Sequence, residues 1–308
     1  MHTFHTALHQ LEQFARGNRW KRFFRAPLRY LFAVGFRYLV YPFTQRGILL
    51  QSATFFGKPM HLVLPAGTDI FLAGGKTHDS EIRLARFLSL HLQPGDRFLD
   101  IGAHYGYFTL LAASLVGEHG AVLAFEPALS TFQILEKNTK AYPAIRIFNY
   151  AVSDLAAPVT FYEFPVLYSE YNAMDTQPYL ETRWFRRYAP QPRTVQAVVL
   201  DAFQETAHFR PAIVKLDVEG AEDKVLSGYL NTLRAGDAPF VVMEYLPEKN
   251  GEGPHRRAWQ LLESLGYRVF RIDASGQLLP LSDINAYFAS AAIDSDNLVF
   301  SKFFGPLT

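Results

Sequence analysis

The sequence predicts a doubly wound α/β fold: a mostly parallel sheet with an antiparallel terminal strand, preceded by an N-terminal helical extension. Three observations predict it. From residue 97 onward, apolar segments of strand length alternate with segments of helix length, the arrangement that builds βαβ units and a parallel sheet. Two early strands end on an acid, in Phe98-Leu99-Asp100-Ile101-Gly102 and in Val122-Leu123-Ala124-Phe125-Glu126-Pro127. The last apolar segments, 267–272 and 297–301, look like a closing antiparallel pair, which a parallel sheet tolerates.

At 308 residues the chain can hold one large α/β domain with an appendage, or two small domains. Its 49% hydrophobic and 19% charged residues are ordinary for a globular protein. A net charge of +1 gives no whole-chain argument for nucleic acid, and none is expected as a partner. With no cysteine, disulfides and thiolate metal sites are excluded. No secretory signal is visible. The best apolar run, Tyr30 to Phe43, falls short of the ~20 residues needed to span a bilayer and is interrupted by Arg37. A cytoplasmic protein is expected, with contact to the inner membrane face left open. Nothing in the sequence speaks to oligomeric state.

Residues 1–48 read as two helical pieces in which aromatics alternate with arginines. Arg16, Arg19, Lys21, Arg22, Arg25, Arg29, Arg37 and Arg46 face a single acid, Glu12. Two readings stand: interfacial helices on an anionic membrane, or helices packed on the main domain with their arginines in solvent. Residues 49–78 form a lead-in, with a hairpin turning at Gly57-Lys58-Pro59. The main domain then runs over 79–308. It opens with a helix over Ser80–Leu92, broken by Pro94-Gly95-Asp96. Strands are expected at 97–100, 121–126, 145–149, 213–218 and 239–244. Helices are expected at 106–116, 129–141, 221–234 and 254–265. Residues 159–195, rich in aromatics and containing Arg183, Arg186 and Arg187, are too long for a plain connection and read as a lid-like insertion.

Ligands of a doubly wound sheet sit beyond the carboxyl ends of its strands. Asp100 closes the first strand there, and Gly102 and Gly106 let the backbone turn tightly. A carboxylate in this place would repel a pyrophosphate and suits a cationic ligand such as the α-amino group of S-adenosylmethionine. Glu126, 20 residues past Gly106, is placed to accept from a ribose diol. Ala103, His104 and Pro127 complete the two turns, and Tyr150 and Ala151 after the third strand would flank an adenine. A nicotinamide dehydrogenase is the competing reading, but Gly102-Ala103-His104-Tyr105-Gly106 lacks the middle glycine of its fingerprint.

The stretch Ile213-Val214-Lys215-Leu216-Asp217-Val218-Glu219-Gly220-Ala221-Glu222 is the second unusual one. Residues two apart in a strand share a face, so Lys215, Asp217 and Glu219 point together if the strand reaches that far. Charges in a central strand are unfavourable unless paired or used. Asp217 is therefore expected to orient or deprotonate an acceptor hydroxyl with help from Glu219. The competing reading is a buried Lys215–Asp217 pair. His104 is a further candidate base, because imidazole titrates near working pH. Tyr168, Tyr171 and Trp184 would stack on an acceptor ring, with Glu244 lining its pocket. Asp217 and Glu244 offer oxygens that suit Mg²⁺, but no compact ligand motif supports a metal and none is expected.

At these residues the chain resembles the FkbM family of S-adenosylmethionine-dependent methyltransferases. The matching stretches are DIGAHYG from Asp100, AFEP from Ala124 and KLDVEGAE from Lys215, with weaker likeness at 151–154 and 199–201. The resemblance covers about residues 79–301. It implies a class I methyltransferase fold, which is Rossmann-like, with S-adenosylmethionine as cofactor. It also implies O-methylation of a small-molecule or glycan acceptor: a glycan, glycolipid or secondary metabolite. It further implies a cofactor-binding acid in the helix before the first core strand, best matched by Glu81. His104 stands where the family usually has Asn. A noncatalytic scaffold retaining the fold is the remaining alternative, but the motifs are largely intact.

Overall fold

The computed structural model describes residues 2–206, 208–247 and 253–302. Residues 303–308, assigned above to the main domain, lie outside them. The chain begins with α1 (His2–Ala15), α2 (Arg19–Arg25), α3 (Pro27–Gly35), a π-helical turn at Phe36–Val40 and α4 (Tyr41–Thr44). A hairpin of β1 (Ile48–Ala53) and β2 (Pro59–Leu64) follows, then α5 (Thr68–Ala73) and α6 (Asp79–His91). The βαβ core comprises β3 (Arg97–Ile101), α7 (Tyr107–Val116), β4 (Ala121–Phe125), α8 (Leu129–Thr139) and β5 (Ile145–Phe148). Three strands leave the core: β6 (Ala151–Val152), β7 (Pro158–Glu163) and β8 (Gln191–Val198). The chain returns through β9 (Ile213–Leu216), α9 (Glu222–Ser227), α10 (Leu230–Ala235), β10 (Phe240–Tyr245) and α11 (Pro254–Ser264). It closes with β11 (Arg268–Ile272), β12 (Leu278–Pro280), α12 (Ile284–Ala291) and β13 (Asp296–Ser301).

The main sheet has eight strands in the order β12-β11-β13-β10-β9-β3-β4-β5. β5, β4, β3, β9 and β10 are mutually parallel. The last strand is antiparallel, as expected, and inserts between β10 and β11. Alternation along each strand divides the core into two layers. Phe98, Val122, Ile213, Val242 and Val299 pack on one face with Leu8 and Leu11 of α1, Leu84 and Leu88 of α6, and Leu111 of α7. Leu99, Leu123, Val214, Val241 and Leu298 pack on the other with Val225 of α9, Leu233 of α10, Leu262 of α11 and Phe288 of α12. Both faces are covered, so these strands read as continuous apolar runs.

The structure departs from the sequence reading in three places. The strand expected at 213–218 ends at Leu216, because the chain turns there; Glu219 and Gly220 have φ of 53° and 95°. The helix expected at 221–234 is two helices separated at Gly228, where a Cβ would meet the Ser153 carbonyl oxygen at 2.3 Å. Residues 1–48 form four helices and a π-turn rather than two pieces. The turn fits Pro42, which has no amide hydrogen to give; the Tyr41 amide donates back to the Phe36 carbonyl.

The segment 159–195 is a hairpin with a long tip: β7 and β8 pair from Pro158–Gln196 to Glu163–Gln191, and the connection between them carries 3-10 turns at Val166–Tyr171 and Gln177–Tyr179. Its aromatics pack together: Phe164, Ala173 and Tyr179 are buried among Tyr168, Trp184 and Phe185. The β1–β2 hairpin is tied to the main domain through buried Asn138 of α8. Its side chain accepts from the His61 amide at 2.6 Å and donates to the carbonyls of His61 and Tyr105 at 2.9 and 2.8 Å. α1 is held by its core leucines and by Glu12, which Arg86 of α6 meets at 2.8 Å.

Candidate active site

The parallel order places the carboxyl ends of β3, β4, β9 and β10 side by side, and each ends in residues singled out above. After β3 the chain turns through Gly102 and Ala103, whose amides both donate to the Phe125 carbonyl at 3.0 Å. Gly102 has φ of 83°, and a Cβ there would lie 1.7 Å from the Asp217 carbonyl oxygen. Gly106, with φ of 87°, starts α7, and a Cβ there would meet Leu135 at 2.6 Å. His104 between them has φ of 50°, a region in which Asn, Asp and His are enriched among non-glycine residues. That gives a physical reason for Asn at this position in the family pattern and for His to replace it.

A cavity of about 810 Å³ lies over these strand ends. Gly102, His104, Glu126, Pro127, Tyr150 and Ala151 line one part of it; Asp217, Glu219 and Glu244 line another. Glu81 lines a third part with Asp69 and Lys76, and Tyr171 lies on the wall near the aromatic hairpin. A smaller adjoining cavity shares Gly102, His104 and Asp217 and touches Ala103.

Asp100, Gly106, Tyr168 and Trp184 are not on these walls. Asp100 is fully buried. Thr109 donates to it at 2.6 Å and the Lys215 ammonium lies 3.6 Å away. Burial raises its pKa despite Lys215. The reading that set this carboxylate against a ligand amino group is corrected: it anchors α7 and Lys215 from beneath the site. Tyr168 and Trp184 stack on each other with centroids 4.1 Å apart and planes at 9°. Each ring covers one face of the other, and Tyr171 alone of the three borders the cavity.

Glu126 is 5% exposed and accepts from the amides of His104 and Ala128, each at 2.9 Å. Burial pushes its pKa up to about 7. His104 pairs with Ser169 at 3.0 Å, and burial pushes its pKa down to about 4. A base near working pH was expected of this residue; the structure makes it a neutral imidazole and a weak base.

Lys215 donates to Asp217 at 3.0 Å. The carboxylates of Asp217, Glu219 and Glu244 converge, with one oxygen from each within 4.8 Å of the others. The compact ligand set that the sequence did not show is thus assembled from two neighbouring strands, and such oxygens suit either a hard cation or a shared proton. Tyr179 donates to Glu219 at 2.6 Å. Burial, then Glu244 and Asp217, drive the Glu219 pKa well up. Burial, then Asp217, push Glu244 up to about 8.

The raised carboxyl pKa values make stability fall with pH, while the lowered His104 pKa acts the other way only below the ordinary imidazole value of 6.5. The native state binds more protons than the unfolded chain between the ordinary carboxylate range and the raised values, so stability present at low pH is lost as pH rises through about 7 and 8. The melting temperature of the free protein is expected to drop by several degrees from pH 6.5 to pH 8.5. Glu244→Gln should flatten that slope, and thermal scans with an unchanged slope would remove the raised carboxyl from the account.

Several site residues escaped the sequence reading. Lys76 bridges Glu81 at 3.2 Å and also contacts Glu170. Burial opposes its charge, but Glu170, Glu81 and Asp69 together raise its pKa. Burial pushes Asp69 up to about 7. These residues lie in the lead-in and the hairpin, outside the recognised motifs; the one available signal was Gly74-Gly75 before Lys76. Glu222, the last acid of KLDVEGAE, is buried, accepts from the Gly220 amide at 3.2 Å and meets His255 at 3.5 Å, closing the turn that carries Glu219.

A family model described as the Methyltransferase FkbM domain matches residues 100–269, the span from the glycine turn to β11. The chain belongs to the FkbM methyltransferase family. Its three matching stretches contribute the Gly102 turn, Glu126 and the Asp217–Glu219 turn. The hexuronic acid methyltransferase AglP of Haloferax volcanii is 26% identical over 161 residues, 52% of this chain and 59% of that protein. The chain thus spans about three fifths of that relative's length. A SAM-dependent O-methyltransferase from Thermotoga maritima is 14% identical, covering 84% of this chain and 79% of that one with a TM-score of 0.41. Aeropyrum pernix fibrillarin, solved with natively bound S-adenosyl-L-methionine, is 10% identical with a TM-score of 0.37, covering 71% of this chain and 73% of that one. The sheet order and the family match make this a class I methyltransferase fold.

Proposed function

We propose that this FkbM-family protein is an S-adenosylmethionine-dependent O-methyltransferase whose acceptor is a hydroxyl of a glycan or similar polyol. One observation carries the reading: a glycine turn and Glu126 face three convergent carboxylates across a single cavity. The hexuronic acid named for the Haloferax relative supports a sugar acceptor.

The residues fit the cofactor chemically. Gly102 lets the turn after β3 close against the Asp217 backbone at the cavity wall, and each Glu126 oxygen retains capacity to accept from a ribose hydroxyl. Lys76 with Glu81 and Asp69 offers both signs of charge, as the amino-acid end of the cofactor requires. When bound, the cofactor supplies a methyl group already activated by its sulfonium. The protein then has to hold the acceptor oxygen in line, exclude water and take one proton. Asp217, beside Lys215, is placed to orient the hydroxyl, and the Asp217–Glu219–Glu244 group takes its proton. Transfer converts the hydroxyl to a methyl ether, the sulfonium to a neutral thioether and one carboxylate to its acid. Tyr171, Asn172 and Met174 cover the cavity from the hairpin.

A dehydrogenase would face Glu126 and the three acids with a pyrophosphate, which is electrostatically unfavourable. Calorimetry with S-adenosylhomocysteine tests the proposal. Binding is expected, and Glu126→Ala should weaken it by roughly 10-fold or more, the value of losing charge-assisted hydrogen bonds. Binding of NAD in place of S-adenosylhomocysteine would overturn the reading.

A further inference from the structure

Among the described residues, fifteen large hydrophobic side chains are exposed, and nine of them lie between Trp20 and Phe43. Trp20 and Phe24 stack on α2 and are 70% and 72% exposed. On α3, Leu28, Leu31 and Phe32 fall at helical spacing on the outer side, whereas Ala33 and the following Phe36 are buried. Tyr38, Leu39, Val40 and Phe43 continue the exposed set through the π-turn into α4. Contiguous exposure on this scale marks an interaction surface.

The charge of the same segment is one-sided. No acid occurs between Glu12 and Asp69. Glu12 is occupied by Arg16 and Arg86, each at 2.8 Å. Lys21, Arg25, Arg29 and Arg37 are exposed beside the apolar residues. Arg25 and Arg29 reach back over the rings of Phe14 and Phe71, which keeps their guanidinium groups at the flank of the apolar face. An apolar stripe edged by cations without acids matches the headgroup layer of an anionic bilayer. No described helix is long and apolar enough to cross a membrane.

The surface is also continuous with the active-site cavity. Tyr30, Val34, Arg37 and Tyr38 line it, and Arg37 and Tyr38 are exposed at its rim. We propose that α2, α3, the π-turn and α4 lie in the headgroup layer of an anionic membrane, with the cavity opening toward lipid-borne substrate. The acceptor would then be a hydroxylated headgroup or glycan carried on a membrane lipid. That last clause rests on the O-methyltransferase reading; the docking itself does not.

The test uses the full chain and vesicles of phosphatidylcholine with and without an equal part of phosphatidylglycerol. Sedimentation should recover at least about tenfold more protein on the anionic vesicles, and high salt should weaken that binding. Trp20→Glu/Phe24→Glu/Leu28→Glu/Leu31→Glu should abolish recovery while S-adenosylhomocysteine affinity stays unchanged, since none of the four lines the cavity. Arg25→Gln/Arg29→Gln, which spares the apolar face, should reduce the anionic preference alone and keeps the test decisive if the fourfold variant does not fold. Equal recovery on both vesicles, or wild-type recovery of the fourfold variant, would overturn the proposal. So would a concentration-dependent dimer, absent in that variant, from a protein that binds neither vesicle, since the occupant would then be a second copy. Loss of S-adenosylhomocysteine binding by the wild type would instead strike the enzymatic reading and leave the docking result standing. With docking established, label from tritiated S-adenosylmethionine should enter the organic extract of added membranes; label confined to the aqueous phase would reject the lipid-borne acceptor.

Discussion

Gly102→Ala is expected to lower the melting temperature by about 10 °C or more and to remove S-adenosylhomocysteine binding. Two effects combine at this position. Its φ of 83° is one that an L side chain adopts at roughly 1–2 kcal/mol. The methyl group would also lie 1.7 Å from the Asp217 carbonyl oxygen, which is backbone and cannot swing away. Relief requires the turn after β3 to separate from the end of β9. Asp217 donates its own amide to the Ile101 carbonyl at 3.0 Å, so that separation breaks the lacing between the strands. Gly57→Ala is the control: φ there is 80°, with nothing within 4 Å of the added methyl. It should lower the melting temperature by only ~2–4 °C, the value of the backbone strain alone. If Gly102→Ala behaved like the control and bound ligand normally, the close approach of the two strand ends would not be what shapes the site.

The second large effect concerns Asp217. Asp217→Asn should lower kcat by ~10²–10⁴ while S-adenosylhomocysteine affinity stays within about threefold, the pattern of a group acting mainly in the transition state. The amide keeps the side chain's size, and Lys215 keeps Asp100 at 3.6 Å as a partner. What is lost is an anionic acceptor for the hydroxyl proton and one of three convergent carboxylates. Effects at Glu219 and Glu244 should not add to this one, because the three groups share charge and protons. Release of S-adenosylhomocysteine with a panel of hydroxylated sugars supplies the measurement. Unchanged turnover would move the proton to another group and leave positioning as the main catalytic contribution.

Much of the sheet is legible in the sequence because parallel strands buried on both faces are apolar throughout. β4 stands out that way, β3 past its first residue, β9 and β10 do so apart from Asp100, Lys215 and Glu244, and edge strand β5 only in part because it carries exposed Arg146; the glycines at 102 and 106 mark a turn whose φ values require them. What was not legible depends on contacts across the chain. Nothing local ends β9 at Leu216; the turn at Glu219 and Gly220 is closed by buried Glu222 and His255. Nothing local breaks α9 from α10 either; Gly228 is there because the Ser153 carbonyl passes close by. Asp100 reads as a ligand contact from its place at a strand end, yet Thr109 and Lys215 claim it once the helix packs. Lys76, Asp69 and Glu170 come from segments without motif character, and only the fold brings them to the cavity. Residues 159–195 read as a lid-like insertion from their length; how their rings pack on one another, and that Tyr171, Asn172 and Met174 reach the cavity, only the fold shows.

β13 sits between β10 and β11, with Asn297 opposite Glu244 and Asp296 opposite Tyr245. A ribosome releases β3 to β5 long before it releases residue 296. Until then the strand bearing Glu244 is a bare edge, and one wall of the cavity has no backing. A nascent chain can thus have the walls around Gly102 and Glu126 in place while the wall bearing Glu244 still waits for the final strand, which defers completion of the cavity to the last stage of synthesis.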